Sequence, residues 1–526
     1  MGLIIAVVIV GLLWLVVLYD VVQKKHAILR NFPIIGHFRY WLEAVGPELR
    51  QYIVTSNNEE RPFSRDQRRW VYASAKKENN YFGFGTDEKV ELEPNFIIIK
   101  HSAFGPPPAA LDSDSANGDP GATYDFPVAD ALPYAVPCAK VLGGHRRRRQ
   151  AFRPTSVVNV SGMSFGSLSG PAVEAMNRGS ALAGCLHNTG EGGIAPYHAH
   201  GGDLVWQIGT GYFGCRSETG GFDRATFLTQ VADHPVTSVE LKLSQGAKPG
   251  LGGMLPGAKV TAEIAAIRGV PQGEDVISPS HHSAFGSVDE LLDFVEDLGD
   301  ASGLPIGIKS AVGEEAFWRE LAGAMGPGDR GVDFITIDGG EGGTGAAPLV
   351  FADHVALPFK LAFTRVYRIF AEAGVAEDVV WVGSGKLGFP ETGLLAFAFG
   401  CDMINVGREA MLAVGCIQAQ RCHTGHCPTG VATQSAWLMR GLDPTDKAAR
   451  LANYVVALRK ELLWLSRACG VEHPGLVTGD HIEILNDYFG SRGMNDVFGY
   501  EPGWGLPGES DRAAIRSLMD RLAHVH

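Results

Sequence analysis

From Arg153 onward the chain repeats one unit eight times: a short β-branched or apolar run ending in Gly, Ser, Asn or Lys, then a helix-like stretch. The runs begin at Ser156 (SVVNVSG), Ala181 (ALAGCLHNTG), Leu204 (LVWQIGTG), Thr237 (TSVELKLSQG), Pro305 (PIGIKSAVG), Val332 (VDFITIDGG), Val379 (VVWVGSGK) and Asp402 (DMINVGRE). Each parallel strand needs a crossover, usually a helix, and eight such units are what a closed parallel barrel requires. The expected fold is therefore α/β, a (β/α)8 barrel. Its fourth connection is long, holding AKPGLGGMLPGAKV, a helix running through Arg268, the loop SPSHHSAFGS and the helical DELLDFVEDLGD. Insertions at the C-terminal ends of barrel strands are where such folds place substrate chemistry.

The expected organisation is an anchor over 1–22, a cap or collar over 23–150, the barrel over 151–470 and an extension over 471–526. Residues 2–19 (GLIIAVVIVGLLWLVVLY) are 18 uncharged positions that, as a helix, cover most of a bilayer's hydrocarbon thickness. A cleaved signal peptide is the alternative, but no basic leader precedes the run and no small-x-small site follows it. Lys24, Lys25 and Arg30 come after it, so the expectation is a single-pass membrane protein with a cytoplasmic catalytic body. Residues 105–121, made of Gly, Pro, Ala, Asp and Ser with one Leu and one Asn, read as an exposed loop. The stretch 446–468 carries apolar residues at helical spacing and is expected to pack on the barrel.

A formal charge of -13 gives no electrostatic case for nucleic acid. The exception, HRRRRQ at 145–150, reads as a solvated or internally paired turn.

Glycine-rich segments follow the last three runs: DGGEGGTGAAP (Gly339, Gly340, Gly342, Gly343 and Thr344), GSGK (Ser384 and Gly385) and GRE (Gly407 and Arg408). Glycine lets backbone N–H groups approach an anion, and barrel phosphate sites lie near the last two strands, so a phosphate-bearing cofactor fits. At other strand ends, Gly162, Met163 and Ser164 offer a surface for a flat ring, and Gln207 a hydrogen bond to its edge. Lys309 reads either as a charge that stabilises a reduced flavin or as a buried ion-pair partner. The alternative for the whole set is barrel-core polar groups that satisfy one another. Cys416, Cys422 and Cys427, in CIQAQRCHTGHCPTG, have the thiolate chemistry and trailing proline of an iron-sulfur run, with three thiols in a small-residue loop as the alternative.

SGMSFGSLS, HNTGEGG, QGAKPGLGGMLPGAKV, SPSHH, DGGEGGTGAAP and GCIQAQRCHTGHCPTGVAT together resemble the FMN-binding synthase domain of glutamate synthase, across about 156–433. With the apolar N-terminal run, the chain is similar to the stand-alone large-subunit-like proteins of that family. The resemblance implies FMN in the barrel and a 3Fe-4S cluster on Cys416, Cys422 and Cys427, with Cys401 either a fourth ligand or a core residue. It assigns Lys248 and Arg268 to the two carboxylates of 2-oxoglutarate, and Glu191 to proton handling near the flavin. It also implies an electron-donor protein or reductase subunit as partner. The expected reaction is reduction of 2-iminoglutarate, from 2-oxoglutarate and ammonia, to L-glutamate. Where the family has glutamine in GGQLPG this chain has Met254. No glutaminase or C-terminal β-helix is recognised, so the expectation is free ammonia or another subunit as nitrogen source. Alternatives are an amino-acid or N-alkyl amino-acid oxidoreductase and a non-catalytic cofactor-binding subunit.

Overall fold

The computed structural model describes residues 1–23, 26–56, 59–86, 88–90, 93–104, 132, 134–487 and 489–523. Lys24, Lys25 and the expected loop at 105–121 lie outside them. The chain divides into two units, Met1–Arg69 and Trp70–His526.

The larger unit is built on a closed parallel barrel of β1 (Val158–Val160), β2 (His187–Asn188), β3 (Leu204–Ile208), β4 (Val236–Lys242), β5 (Ile306–Ser310), β6 (Phe334–Asp338), β7 (Val380–Ser384) and β8 (Met403–Val406). β8 closes on β1, with Ile404 opposite Val158. All eight expected runs are strands. β2 is only two residues long, because Ala181–Ala183 still belong to the preceding helix, Gly170–Ala183, which ends at Gly184 in the left-handed conformation (φ 62°). Strands β5, β6 and β7 are buried at every position, as parallel strands covered by helices must be.

The N-terminal mouth of the barrel is sealed by side chains. Cys138 and Leu142 pack with Phe334, Val380, Val382 and Met403, and Phe152 closes over them. The arginine run lies beside this plug, where Arg148, Arg149 and Gln150 are internally paired while Arg146 Nε and Nη2 are buried without a hydrogen-bond partner among the described residues. Arg148 Nε bonds Asp333 Oδ2 at 2.9 Å and its NH1 bonds Glu296 Oε2 at 2.6 Å. Arg149 and Gln150 donate to Asp300 and Ser302 carbonyls, at 2.8 and 2.9 Å, which the helix Val288–Ser302 leaves unpaired at its C-terminal end. Lys140, also buried, pairs with Asp402 at 3.4 Å and Glu377 at 3.6 Å.

The long fourth connection forms a two-stranded ribbon, with Met254 opposite Ile277, and the helix Ala262–Arg268. Thr261 accepts a hydrogen bond from the Ile264 N–H, and Gly269, at φ 63°, stops the helix just after Arg268. The predicted helix at 446–468 is Pro444–Ala468, capped by Asp443. It packs on Gly170–Ala183 through Gly179, where a Cβ would come within 2.8 Å of the Ala448 carbonyl. Ile97–Ile99 and Ile482–Leu485 pair antiparallel in a small sheet with Ser491–Gly493, joining segments far apart in the chain.

In the smaller unit, Gly2–Val22 is one helix of 21 residues, long and apolar enough to cross a membrane. Ala27–Asn31, Ile35–Leu49 and a π-turn at Arg50–Val54 follow.

Candidate functional site

Because all eight strands run the same way, their C-terminal ends form one mouth, and the fourth connection inserts beside it. Glu191, after β2, is the hub of its charges. Its Oε1 accepts a 2.7 Å bond from Lys242 Nζ, at the end of β4. Burial alone would raise the Glu191 carboxyl, but Lys242, Lys248 and Arg268 together hold it below the usual carboxylate range. Close packing enforces this position: a Cβ on Gly209 would meet Glu191 Oε2 at 2.5 Å, and one on Gly253 would meet Oε1 at 2.7 Å.

The cations around Glu191 are incompletely satisfied. Lys248 Nζ donates to the Ala346 carbonyl at 3.2 Å, which carries no formal charge. Arg268 donates to Ser164 Oγ at 3.3 Å and the Phe165 carbonyl at 3.1 Å, and its guanidinium lies 5.2 Å from the Phe213 ring centroid. Its Nε is buried with no hydrogen-bond partner. Burial pulls the Arg268 pKa down to about 10, with Glu191 opposing, and also lowers Lys248. Lys242 takes the Glu191 carboxylate, and among the described residues neither Lys248 nor Arg268 forms an ion pair, which leaves those two cations for a ligand. Lys242 was not anticipated from sequence; its signal was a lysine at the C-terminal end of the fourth run, TSVELKLSQG.

Below this cluster lies a polar floor. Glu240 in β4 accepts from Asn188 Nδ2 at 2.7 Å, Gln207 Nε2 at 2.6 Å and Thr336 Oγ1 at 2.7 Å. Lys309 Nζ is 3.4 Å from Asp338 Oδ2, so it is an ion-pair partner here. Although burial opposes it, Asp338 and Glu240 raise the Lys309 pKa and keep it charged. Glu240 was likewise missed in the sequence.

The remaining cofactor candidates ring the same mouth. Gly162, Met163 and Ser164 follow β1, and Gly162 lies so close to the floor that a Cβ would meet Asn188 Oδ1 at 2.7 Å and Gln207 Nε2 at 3.0 Å. Gly339, Gly340, Gly342, Gly343 and Thr344 follow β6, Ser384 ends β7 with Gly385 next, and Gly407 and Arg408 follow β8. The loops touch: Gly339 N–H donates to the Ser384 carbonyl at 2.9 Å, and Arg408 donates to the Glu341 carbonyl. Gly385 adopts φ 124°, closed to other residues, and packs on Gly339. A Cβ on Gly407 would have nothing nearer than Ser161, at 3.6 Å, so space opens there. A polar ring edge at Gln207 and Lys309, with a cation over glycine loops at the last strands, fits a flavin mononucleotide.

The cysteine run leaves the same mouth after the helix Arg408–Ala413. Among the described residues no three His, Cys, Asp or Glu side chains converge tightly enough to hold a single metal ion. Cys422 and Cys427 do lie close enough for their charges to interact, and burial together with Cys427 raises the Cys422 thiol. Burial would raise the Cys427 thiol, but N–H groups of Ala432, Thr429 and Val431 and the Thr429 hydroxyl bring it below the usual thiol value. A backbone cradle that favours thiolate suits an iron-sulfur ligand. Lys259, buried and unforeseen in sequence, donates at 3.1 Å to the carbonyls of both Ser167 and Cys422, tying the run to the loop after β1. Cys401 precedes β8, at the opposite end of that strand from the run, and sits in the core.

Residues 141–472 match the family model described as the conserved region in glutamate synthase. The chain is 38% identical over 498 residues to the glutamate synthase large subunit-like protein YerD of Bacillus subtilis, covering 91% of this chain and 93% of that one. It is 36% identical to the archaeal glutamate synthase (NADPH) of Methanocaldococcus jannaschii, over 60% of this chain and 59% of that one. It is 31% identical to a glutamate synthase large subunit-like protein of Rhizobium meliloti, over 60% and 72%. Among solved structures it is similar to a flavocytochrome b2, at 12% identity and a TM-score of 0.41 over 79% of this chain and 78% of that one, too distant to bear on function. With a family model spanning the barrel and a relative matched along nearly its whole length, the chain belongs to the glutamate synthase family, among its large-subunit-like members.

Proposed function

We propose that the protein is an FMN and iron-sulfur oxidoreductase that converts 2-oxoglutarate and ammonia, through 2-iminoglutarate, to L-glutamate. The observation that carries this reading is Glu191 facing Lys242, Lys248 and Arg268, with Lys248 and Arg268 outside any ion pair among the described residues and so open to a ligand with two carboxylates. Arg268 takes one carboxylate through its planar fork and Lys248 neutralises the other. Glu191, paired at Oε1 with Lys242, keeps Oε2 for the proton exchanged when ammonia adds to the keto carbon and water leaves. Its negative charge also stabilises the resulting iminium.

In sum, 2-oxoglutarate, ammonia, two electrons and two protons give glutamate and water. When bound, FMN would provide hydride chemistry, and Cys416, Cys422 and Cys427 would hold a 3Fe-4S cluster that would provide a one-electron route from an electron-donor protein or reductase subunit. Gln207, Lys309 and the loops at Gly339–Thr344, Ser384–Gly385 and Gly407–Arg408 would hold the FMN. The carboxylate contacts of Lys248 and Arg268 would fix the orientation of the substrate in the mouth. Gly2–Val22 would anchor the protein in the cell membrane, with Lys24, Lys25 and Arg30 keeping the body cytoplasmic.

The test is glutamate formation from 2-oxoglutarate and ammonia by anaerobically purified protein, driven by dithionite or reduced ferredoxin. FMN-loaded protein that bleaches with reductant yet yields no glutamate overturns it. A second reading, oxidation of an amino acid or N-alkyl amino acid, is motivated by Met254, which replaces an amide at the substrate end and is 46% exposed. Substrates that bleach the flavin without 2-oxoglutarate would favour it.

A further inference from the structure

We propose that the helix Ile35–Leu49 lies in the polar-apolar boundary of a lipid bilayer as a second membrane contact, and that Asp20 sets its depth. This rests on reading Gly2–Val22 as a membrane span.

Plotted at 100° per residue, Ile35, Phe38, Trp41, Leu42, Val45 and Leu49 fall on one arc of about 120°. A globular protein would turn such an arc into its core. Here Ile35, Phe38, Trp41, Leu42 and Leu49 are each between 41% and 77% exposed. Phe38 and Trp41 stack on each other at 5.8 Å. Off the arc, Arg39 and Glu43 form an ion pair at 2.7 Å. Aromatic and aliphatic residues on one face and charges on the other are the composition of helices that lie in the membrane plane.

The occupant is fixed by continuity with the span. Asp20, two residues before the end of Gly2–Val22, is fully buried and holds the start of the helix Ile35–Leu49. Its Oδ2 accepts from the Ile34 N–H at 3.0 Å, and its two oxygens lie 2.9 and 3.0 Å from His37 Nε2. The amphipathic helix is thus pinned at the level where the span leaves the hydrocarbon. At that level Trp, Tyr and Phe favour the interface, and Arg30 and Arg39 can meet lipid phosphates.

The test uses full-length protein in vesicles of phosphatidylethanolamine and phosphatidylglycerol, with photoreactive benzoylphenylalanine placed singly at Leu12, Phe38, Leu42 or Glu43. Lipid adducts are expected from Leu12, Phe38 and Leu42, and few from Glu43. In an Asp20→Ala background the Phe38 and Leu42 adducts should be lost while the Leu12 adduct persists. Adducts at Leu12 with none at Phe38 and Leu42, or protein-to-protein crosslinks from those two, overturn the proposal and leave the span standing. No lipid adduct at Leu12 overturns the span, and the proposal with it.

Discussion

The two mouths of the barrel are built from similar charged residues and do opposite things with them. At the N-terminal mouth the cations face counter-charges: Arg148 has Asp333 and Glu296, and Lys140 has Asp402 and Glu377. Apolar side chains of Leu142, Phe152 and Phe334 exclude water beside them. At the C-terminal mouth Glu191 stands against three cations, and among the described residues only Lys242 of the three forms an ion pair with a carboxylate. Buried charge is costly unless compensated, so an end that leaves it uncompensated is shaped for a ligand, and an end that balances it is shaped for stability.

The comparison predicts that substitutions at the two ends separate activity from stability. The largest effect expected is from Arg268→Met. Losing a charged contact of this kind costs about 2–5 kcal/mol, so kcat/KM for 2-oxoglutarate should fall roughly 30-fold or more. The urea midpoint should hold or rise, since the guanidinium is buried without full compensation; a lower midpoint with unchanged kcat/KM would break the contrast. Arg148→Leu, at the other end, should do the reverse. Leaving Asp333 buried without its partner lowers the unfolding free energy by about 3 kcal/mol, with kcat/KM unchanged, as urea titration and steady-state rates would show.

A smaller effect comes from His473, buried near the plug, which contacts the Pro137 carbonyl through Nε2 at 2.9 Å and accepts the Gly475 N–H through Nδ1 at 3.0 Å. Burial holds its pKa down at about 4, against 6.5 for an ordinary histidine. The unfolded chain therefore binds the proton that the folded chain refuses. Stability from this group is full above pH 6.5 and is lost as pH falls toward 4. Between pH 7 and 5 the loss is about 2 kcal/mol, and His473→Asn should flatten that part of the urea-stability profile. The smallest change expected is from Met254→Gln. It adds a hydrogen-bonding amide at the rim of the C-terminal mouth, worth about 1 kcal/mol, and should lower KM for 2-oxoglutarate roughly fivefold. An unchanged KM would place Met254 outside the substrate's reach.

Much of this was legible in the amino-acid sequence by itself. Eight β-branched or apolar runs marked all eight barrel strands, because period and punctuation are local properties of the chain. The Gly-rich loops, the cysteine run and the residues Glu191, Lys248 and Arg268 were likewise readable as ordered motifs of one family. Only the tertiary structure decided their partners. It brought Lys242 to Glu191, set Glu240 beneath Gln207 and Asn188, tied Lys259 to the cysteine run, paired Lys309 with Asp338, and joined Ile97–Ile99 to Ile482–Leu485. The reason is physical: a strand's existence depends on neighbours a few residues away, whereas the charge on a buried side chain depends on whatever barrel closure places within a few ångströms of it.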